Sequence, residues 1–537
     1  MIDTLAFFES RFRELLDHDP EPGSYYRPRP YRNGTVRFRE CHMGEFDLRR
    51  KLLEEAGLNV FLFPAHRIPG CDLLSDSGTT TMTVEQWSRL ILGDEAYGSN
   101  EGFFELRDRM VETFGPSWAK RNDVHENFFL FHQGRAAEHA LFGIIGRELG
   151  AAARAGKDVV SPEALGAELR DRISHGAARA EGAYYIVPNN SHFDTTEGNV
   201  EANHMVALNL PCREHLEDRR DFPFRGNIHL ENLERLLGAV PDRVPLVYLT
   251  ITNNTGGGQP VSMENIKKTR ALAHRHGVPL FFDACRFAEN AWFIKNKEPG
   301  YGDRTIASIV HEMFEQVDGF HASFKKDGLV NIGGAILLKP EGLFVEKYPG
   351  FADQITDHQI LTEGHPTYGG LAGRDLMGLA EGLRTVVHEE YLDARIAQVV
   401  RFGEKLRSYD IPVNEPIGGH AVYLDMDRFF EGTRSRDEDF KGVAFTGLLL
   451  LGGHRLCELG IYAFGAYRGG REIPPDPRVN NVRASVPRLS YEDQDLFALA
   501  EMIRVLHEHR DRIPGVEVTY GRELNLRHFK SRFRFKA

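Results

Sequence analysis

The stretch VPLFFDACRFAENAWFIKNK, residues 278–297, carries the clearest indication of the fold class. Its first part, Val278–Asp283, is apolar up to the aspartate and predicts a buried strand, and a helical pattern follows it. Further short apolar strands are predicted over Tyr184–Val187, Leu246–Thr252 and Ala335–Leu338. Because such strands alternate with amphipathic helices, the sequence predicts an α/β fold with a mostly parallel sheet and ligands beyond the carboxyl ends of its strands.

The chain has 537 residues, which is too long for a single hydrophobic core. We expect an N-terminal helix and extended arm over residues 1–45, a large α/β domain over 46–394 and a smaller α+β domain over 395–537. Two stretches, about 151–182 and about 430–441, have the composition of insertions. Hydrophobic residues at 41% and charged residues at 27% are typical of globular proteins and exclude wholesale disorder.

Charge and hydropathy exclude several classes of partner. The net charge of −12 argues against nucleic acid, and the longest apolar stretch, Val443–Gly453, is far shorter than the ~18–20 residues of a membrane span. The basic arm Tyr25–Arg39 is interpreted as packing on a neighbouring subunit rather than binding nucleic acid. The basic, aromatic tail Arg527–Lys536 is interpreted as a strand with one buried face rather than a nucleic-acid site. The five cysteines form no C-x-x-C motif and fit a reducing compartment, so we expect a cytoplasmic protein.

Four segments carry residues with a shared chemistry. An aspartate ends the strand described above, two lysines precede a glycine-rich stretch in ASFKKDGLVNIGG, a helix opens in HQGRAAEHAL, and an aromatic residue stands in SHFDTTEG. The opening of the helix offers free backbone N–H groups for a phosphate. Pyridoxal phosphate requires an anion near its ring nitrogen, an amine for a Schiff base, hydrogen-bond donors for its phosphate and an aromatic side chain that stacks on its ring. The residues are Asp283, Lys325, Lys326, Gln133, Gly134, Arg135 and Phe193.

At these positions the chain resembles the β-eliminating lyases, the family of tryptophanase and tyrosine phenol-lyase, and more closely its tryptophanase branch. The resemblance spans about residues 45–537, interrupted by the two insertions. Its most specific segments are DACRFAENAWFIK and KKDGLVNIGG, and it extends to DLLSDSGTTTM, HQGRAAE, NNTGGGQPVS, PTYGGLAGRD and VRASVPR. It implies the aspartate-aminotransferase-like fold type I of pyridoxal-phosphate enzymes, with a seven-stranded large-domain sheet, and a homotetramer with sites at subunit interfaces.

The resemblance also implies roles for individual residues. Lys326 resembles the Schiff-base lysine, Asp283 the partner of the pyridine nitrogen, Arg483 the clamp for the substrate carboxylate, and Tyr97 the acid that protonates the leaving group. For the cofactor it implies phosphate contacts from Ser323 and Lys325 and ring-hydroxyl neighbours in Asn254 and Arg286. For a monovalent cation, K⁺ or NH₄⁺, it implies oxygen ligands from Gly78, Glu95 and Asn331.

Three positions indicate which leaving group the site accepts. Leu459 stands where tyrosine phenol-lyase has an arginine for the phenol, and Asp194 and His528 match the tryptophanase branch. We therefore expect cleavage of L-tryptophan to indole, pyruvate and ammonia, with Ser75 also in the substrate pocket. His365, Cys457 and Phe324 depart from the family pattern.

Other functions stay open from the sequence. His365 either repacks without consequence or retunes the pocket for another β-substituted alanine, such as tyrosine, a cysteine conjugate or a modified tryptophan. An inactive homologue that acts as a binding subunit is the remaining alternative.

Overall fold

The computed structural model describes residues 40–118, 127–154, 163–180 and 182–536. The predicted N-terminal helix and most of the arm lie outside these residues, and the predicted insertion at about 151–182 is described in part. Among the described residues, no helix is both long and apolar enough to span a membrane.

The described residues form fourteen strands, which are numbered here in chain order: β1 Phe128–Phe131, β2 Tyr185–Asn189, β3 Met205–Asn209, β4 Val247–Thr250, β5 Leu280–Asp283, β6 Gly319–Ser323, β7 Gly334–Leu338, β8 Ala421–Asp425, β9 Cys457–Leu459, β10 Ala466–Arg468, β11 Arg471–Ile473, β12 Asn481–Ser485, β13 Val516–Tyr520 and β14 Arg532–Phe535.

The α-helices of the described residues are numbered in the same way: α1 Phe46–Glu55, α2 Val84–Ile91, α3 Glu101–Phe114, α4 Gly134–Glu148, α5 Ala151–Arg154, α6 Gly166–Arg179, α7 Asp194–Ala202, α8 Arg213–Leu216, α9 Leu230–Ala239, α10 Met263–Arg275, α11 Phe287–Lys297, α12 Ile306–Glu315, α13 Leu343–Lys347, α14 Phe351–Thr362, α15 Gly373–Val386, α16 Glu389–Arg407, α17 Met426–Phe429, α18 Lys441–Leu451, α19 Ile461–Phe464 and α20 Asp493–Glu508.

The large sheet has the strand order β1-β7-β6-β5-β4, and the parallel pair β2-β3 lies beside β4. The side chain of Asn190, just after β2, bridges the two parts: its amide donates to the Thr250 carbonyl at 3.0 Å, and its oxygen accepts from the Thr250 N–H at 2.9 Å. Among the paired strands of the described residues, β7 runs antiparallel to both of its neighbours, β1 and β6, whereas β4, β5 and β6 are parallel to one another, as are β2 and β3. The predicted seven strands in a mostly parallel arrangement are therefore present, divided between a five-stranded sheet and a pair.

Direction and order of the strands place the site. Strands β1, β4, β5 and β6 all end at one edge of the sheet, so the segments after Phe131, Thr250, Asp283 and Ser323 meet there. The residues of these strands are almost entirely buried, which is typical of a sheet with helices on both faces.

A second core belongs to the carboxyl-terminal part of the chain. It forms around the antiparallel sheet β8-β12-β9 and the helices α16, α18 and α20. Residues 53–73, which the sequence analysis assigned to the large domain, pack in this second core as well. Val443–Gly453, the longest apolar stretch, falls mostly in α18, where burial among these elements accounts for its composition.

Candidate active site

A deep cavity opens at the carboxyl-terminal edge of the large sheet, where the two cores meet. It encloses about 1040 Å³ including its mouth. Fifteen of the residues predicted from the sequence line it: Ser75, Gln133, Gly134, Arg135, Phe193, Asp194, Asn254, Asp283, Arg286, Ser323, Lys325, Lys326, Cys457, Leu459 and Arg483. The four segments that the sequence analysis grouped by chemistry therefore come together in space.

One end of the cavity is built to hold an anion. Helix α4 begins at Gly134, and a Cβ atom at that position would lie 2.4 Å from the Cβ of Ser323, so only glycine lets the helix start this close to β6. The first N–H groups of a helix have no intrahelical partner and point outward. With the hydroxyl of Ser323 and the cations of Arg135 and Lys325, they supply donors and positive charge suited to a phosphate group.

Asp283 and Phe193 define the middle of the cavity. Asp283 is 5% exposed at the end of β5, and its Oδ1 lies 3.4 Å from the Cys285 N–H. Phe193 caps α7 and packs beside Leu74 on the cavity wall. A buried carboxylate and an aromatic ring on the wall of one cavity fit a flat, protonated heteroaromatic ring.

Asn254 is oriented by three donors that all reach its side-chain oxygen. Arg483 donates at 3.1 Å, Tyr423 at 2.5 Å and the His420 imidazole at 3.1 Å. Because the oxygen is engaged, the amide N–H₂ group is what Asn254 offers to a ligand in the cavity, as a neighbour of a ring hydroxyl would require.

Arg286 is held in place by a residue that sequence reasoning missed. Its guanidinium donates twice to the Asp76 carboxylate, at 3.0 and 2.7 Å, and both side chains are buried. Burial alone would raise the pKa of Asp76, but Arg286, His420 and Arg488 hold it well below its usual value. The available signal was position, since Asp76 directly follows Ser75 in DLLSDSGTTTM.

Lys326 supplies an amine at the centre of the site. Its Nζ lies 3.9 Å from the Sγ of Cys285 and lines the cavity beside Asp283 and Ser323. Burial and the neighbouring Asp283 raise the pKa of the Cys285 thiol well above its usual value, so this thiol keeps its proton. Cys285, Asp283 and His321 lie close enough to share a metal ion, but a protonated thiol is a poor ligand, and the donor set fits the cofactor better.

Arg483 extends from β12 into the cavity with spare donor capacity. It donates to the Leu74 carbonyl at 3.1 Å and lies over the Phe193 ring at 5.9 Å. Within the described residues its Nε is buried without a hydrogen-bond partner. A fixed guanidinium with a free donor is suited to a carboxylate ligand.

One part of the cavity wall is formed by a cluster of buried, mostly apolar side chains. Cys457 and Leu459 are buried there with Phe464, and Phe61, Leu74 and Phe193 pack against them. Behind this wall the Nε2 of His528 lies 2.8 Å from the Asp194 Oδ2. Burial raises the pKa of Asp194, but the hydrogen bond and charge of His528, together with Arg135, lower it below its usual value.

Two predicted residues lie away from this cavity on an exposed face. Tyr97 is 81% exposed, and its ring packs edge-on against His365 and Tyr368 at 5.9 and 5.7 Å. The His365 Nδ1 is 2.8 Å from the hydroxyl of Thr367. Neither Tyr97 nor His365 reaches the cavity of its own chain.

The predicted cation ligands are brought together only in part. The Asn331 side chain donates to the Gly78 carbonyl at 2.9 Å, so these two residues are neighbours. Glu95 lies elsewhere, exposed and paired with Arg374 at 2.8 Å.

Glu138 is the second residue that sequence reasoning missed. It stands in the quoted segment HQGRAAE, one turn into α4, and it lines the cavity as a buried acid. The prediction used Gln133, Gly134 and Arg135 of this segment for the phosphate and gave its acid no role.

Comparisons with known proteins agree with this geometry. The sequence profile of the family described as beta-eliminating lyase matches residues 72–507. A tryptophanase from Salinibacter ruber is 39% identical over 91% of this chain and 92% of its own length. A tyrosine phenol-lyase from Fusobacterium nucleatum is 36% identical over 91% of this chain and 94% of its own length. In fold, the chain is similar to an aminotransferase from Staphylococcus aureus, with a TM-score of 0.50, 14% identity, and coverage of 82% of this chain and 94% of the other.

Proposed function

Because the chain belongs to the β-eliminating lyase family and is a pyridoxal-phosphate-dependent lyase of fold type I, we propose that it cleaves L-tryptophan to indole, pyruvate and ammonia. The observation that carries the choice of substrate is the buried apolar wall around Leu459, backed by the Asp194–His528 pair. Leu459 offers no donor to a phenol oxygen, whereas the apolar wall would bury the carbon face of an indole ring and the Asp194–His528 pair would supply polar groups beside it.

The cofactor would be held by the groups that line the cavity. The start of α4, Ser323 and Lys325 would bind its phosphate, Phe193 would stack on its ring, and Asp283 would face its ring nitrogen. When bound, the cofactor supplies an electron sink for a carbanion at the substrate's α-carbon.

The protein's own residues would then bind the substrate and move its protons. Arg483 would hold the α-carboxylate with its free donors. The Nζ of Lys326, once exchanged for the substrate amine, would take the α-proton. Tyr97 would give its phenolic proton to the β-linked ring carbon, because a carbon leaving group must be protonated before its bond breaks.

The exposed position of Tyr97 bears on the oligomeric state of the enzyme. Since Tyr97 does not reach its own cavity, it would serve the cavity of a second copy of the chain. We infer a homotetramer, with Glu95 joining Gly78 and Asn331 of another subunit around a K⁺ or NH₄⁺ ion, in the cytoplasm.

The test is a panel of β-substituted alanines given to the purified enzyme, with pyruvate release as the measurement. L-Tryptophan should exceed L-tyrosine in kcat/KM by at least ~100-fold, about 2.7 kcal/mol. D-Tryptophan is the matched control and should release no pyruvate. Efficient phenol release from tyrosine would contradict the proposed branch.

A second candidate is a lyase for another β-substituted alanine. It is favoured by His365 beside Tyr97 and by Cys457 in the apolar wall, two side chains that depart from the family pattern. Pyruvate from an S-substituted cysteine or a ring-substituted tryptophan, with neither indole nor phenol released from the parent amino acids, would favour this candidate.

A further inference from the structure

Glu138 is a buried acid in the active-site cavity with no part in the proposed chemistry. Its side chain extends from the second turn of α4, and the residue is 4% exposed. It lines the same cavity as Asp283, which is 5% exposed. Two carboxyl groups therefore share one enclosed space.

The contacts of Glu138 are with uncharged groups. The Thr196 hydroxyl donates to its Oε1, and the Thr195 hydroxyl lies 3.5 Å from its Oε2. The Nε2 of His321 lies 3.6 Å from Oε1. Within the described part of the chain, no lysine or arginine forms an ion pair with Glu138, so an ionised carboxylate here would be buried without a cationic partner.

His321 stands between the two acids and is itself neutral. Burial lowers its pKa to about 4, although the charge of Asp283 opposes this. Its Nδ1 contacts the Tyr248 hydroxyl and lies 3.9 Å from the Oδ1 of Asp283. The imidazole thus has one nitrogen near each carboxyl group.

Electrostatics decide how many protons this group of side chains holds. Two carboxylates in a site that excludes water repel one another, and such a pair retains a proton that separate groups would lose. Burial, followed by the charge of Asp283, raises the pKa of Glu138 to about 8, against the opposing influence of Thr196, Lys326 and Arg135.

We propose that Glu138 is the proton store of this site: its carboxyl group is neutral before the cofactor binds and ionises when the ring nitrogen of the cofactor takes up a proton beside Asp283. The O–H bond of Glu138 breaks, His321 takes the proton at Nε2 and releases one from Nδ1, and the ring nitrogen gains a proton through Asp283. No electrons are transferred. The net charge of the pocket with the cofactor bound differs from that of the pocket without it only by the charge of the cofactor itself. The proposal rests on the cofactor requirement stated above.

The experiment counts protons. Pyridoxal phosphate is titrated calorimetrically into the cofactor-free, full-length enzyme at pH 7.0, in two buffers that differ in ionisation enthalpy. Glu138→Gln keeps the shape of the side chain but cannot supply a proton, so it should take up about one more proton per site from the buffer than the wild type. Schiff-base formation at Lys326 contributes equally to both and cancels.

Glu197→Gln is the matched control. Glu197 is a buried glutamate on α7 whose pKa burial also raises to about 8, but it pairs with Arg179 at 2.8 Å and does not line the cavity. It should take up as many protons as the wild type. Equal proton uptake by wild type and Glu138→Gln overturns the proposal, whereas failure of the wild type to bind pyridoxal phosphate contradicts the proposed function instead.

Infrared difference spectra of the wild type give a second readout. In the wild type, the carbonyl band of a protonated carboxylic acid should weaken when the cofactor binds. If Glu138→Gln does not fold, Glu138→Ala should remove that change. A carboxylic-acid band that is unaltered by cofactor binding overturns the proposal as well.

Discussion

The side chains of Lys325 and Lys326 extend from the same loop in different directions. The Lys325 side chain packs against Gly78, where a Cβ atom would lie 2.5 Å from its Cε, while the Lys326 Nζ lies near Cys285 and Asp283. We expect Lys326→Ala to lose the visible absorbance of the lysine-bound cofactor and to lower kcat by at least ~10³-fold, about 4 kcal/mol. Absorbance spectra and pyruvate release are the measurements.

Lys325→Ala is the control for that substitution. Burial, together with the charges of Lys326 and Arg135, lowers the pKa of Lys325, as expected for one of several cations around an anion site. Its removal should weaken cofactor affinity and leave the absorbance band of the loaded enzyme in place. The reverse pattern, with the band lost in Lys325→Ala and kept in Lys326→Ala, would shift the assignment by one residue.

Tyr97→Phe separates leaving-group chemistry from the earlier steps. A carbon leaving group needs a proton from an acid, worth ~10²–10⁴-fold, whereas a thiolate leaves without one because its conjugate acid has a pKa near ~8.5. We expect the variant to lose most cleavage of tryptophan and to retain most cleavage of an S-substituted cysteine. Parallel kcat values on the two substrates are the measurement, and equal, modest losses would make Tyr97 a packing residue.

Single residues differ in how far the sequence predicts them. Asp283 and the start of α4 were predictable because one ends an apolar strand and the other opens a helical pattern, and such ends meet at one sheet edge, whereas the choice of Lys326 over Lys325 came from the family resemblance. Asp76 and Glu138 were not predictable, because their roles depend on partners more than 50 residues away, and no local pattern indicates which acid is buried beside which cation or imidazole.

Helix α6 lies in the segment predicted as an insertion. It contacts both α7, which begins at the active-site residue Asp194, and the carboxyl-terminal part of the chain. Its Arg179 pairs with Glu197 and Glu201 of α7 at 2.8 and 2.7 Å and donates to the Phe464 carbonyl. Because removing one member of a buried ion network leaves unpaired charge, we expect Arg179→Met to lower the free energy of unfolding by ~3 kcal/mol at pH 8. Denaturant unfolding of the cofactor-free chain is the measurement.

The loss should depend on pH in a defined direction. Without Arg179, the already raised pKa of Glu197 rises further, so the folded variant binds a proton that the unfolded chain releases above its ordinary carboxyl pKa. Stability of the variant relative to the wild type should therefore fall as the pH rises above about 8, the pKa of Glu197 in the folded wild type.

Arg172→Met is the control on the same helix. Arg172 pairs with Asp476 at 3.2 Å, and both side chains are partly exposed, so its loss should cost less than ~1 kcal/mol and be nearly independent of pH. Equal costs for the two arginines would mean that α6 is not tied to the rest of the protein through Arg179.

The positions of the strands were largely predictable from the sequence, whereas the elements against which each segment packs were not. The apolar runs over 246–252 and 278–283 became β4 and β5 within two residues of the predicted bounds, because buried parallel strands leave continuous apolar sequence. Residues 53–73 carry no pattern that distinguishes one core from the other, and their packing with residues beyond 399 is a contact across more than 300 positions.

At the scale of the whole molecule, large apolar side chains are exposed close to Tyr97 in the sequence. On and after α2, Ile91 is 85% exposed and Leu92 57%. Apolar side chains this exposed are typical of a surface that a partner covers. We therefore expect this surface to meet a second copy of the chain and to deliver Tyr97 into that copy's cavity.

Two inactive variants, mixed, test this assembly. If each site combines Lys326 of one subunit with Tyr97 of another, a Lys326→Ala subunit can still lend its Tyr97 to a Tyr97→Phe neighbour that keeps its lysine. Random mixing in equal amounts makes half of the paired subunits mixed, and one of the two sites in each mixed pair is intact, so tryptophan cleavage should recover to about a quarter of the wild-type rate. The variants are unfolded together and refolded as a mixture, and each is refolded alone as the control. Recovery requires a site shared between subunits, because neither chain alone carries both residues. A mixture no more active than its parents would return Tyr97 to its own chain, where it lies too far out on the surface to act as the acid.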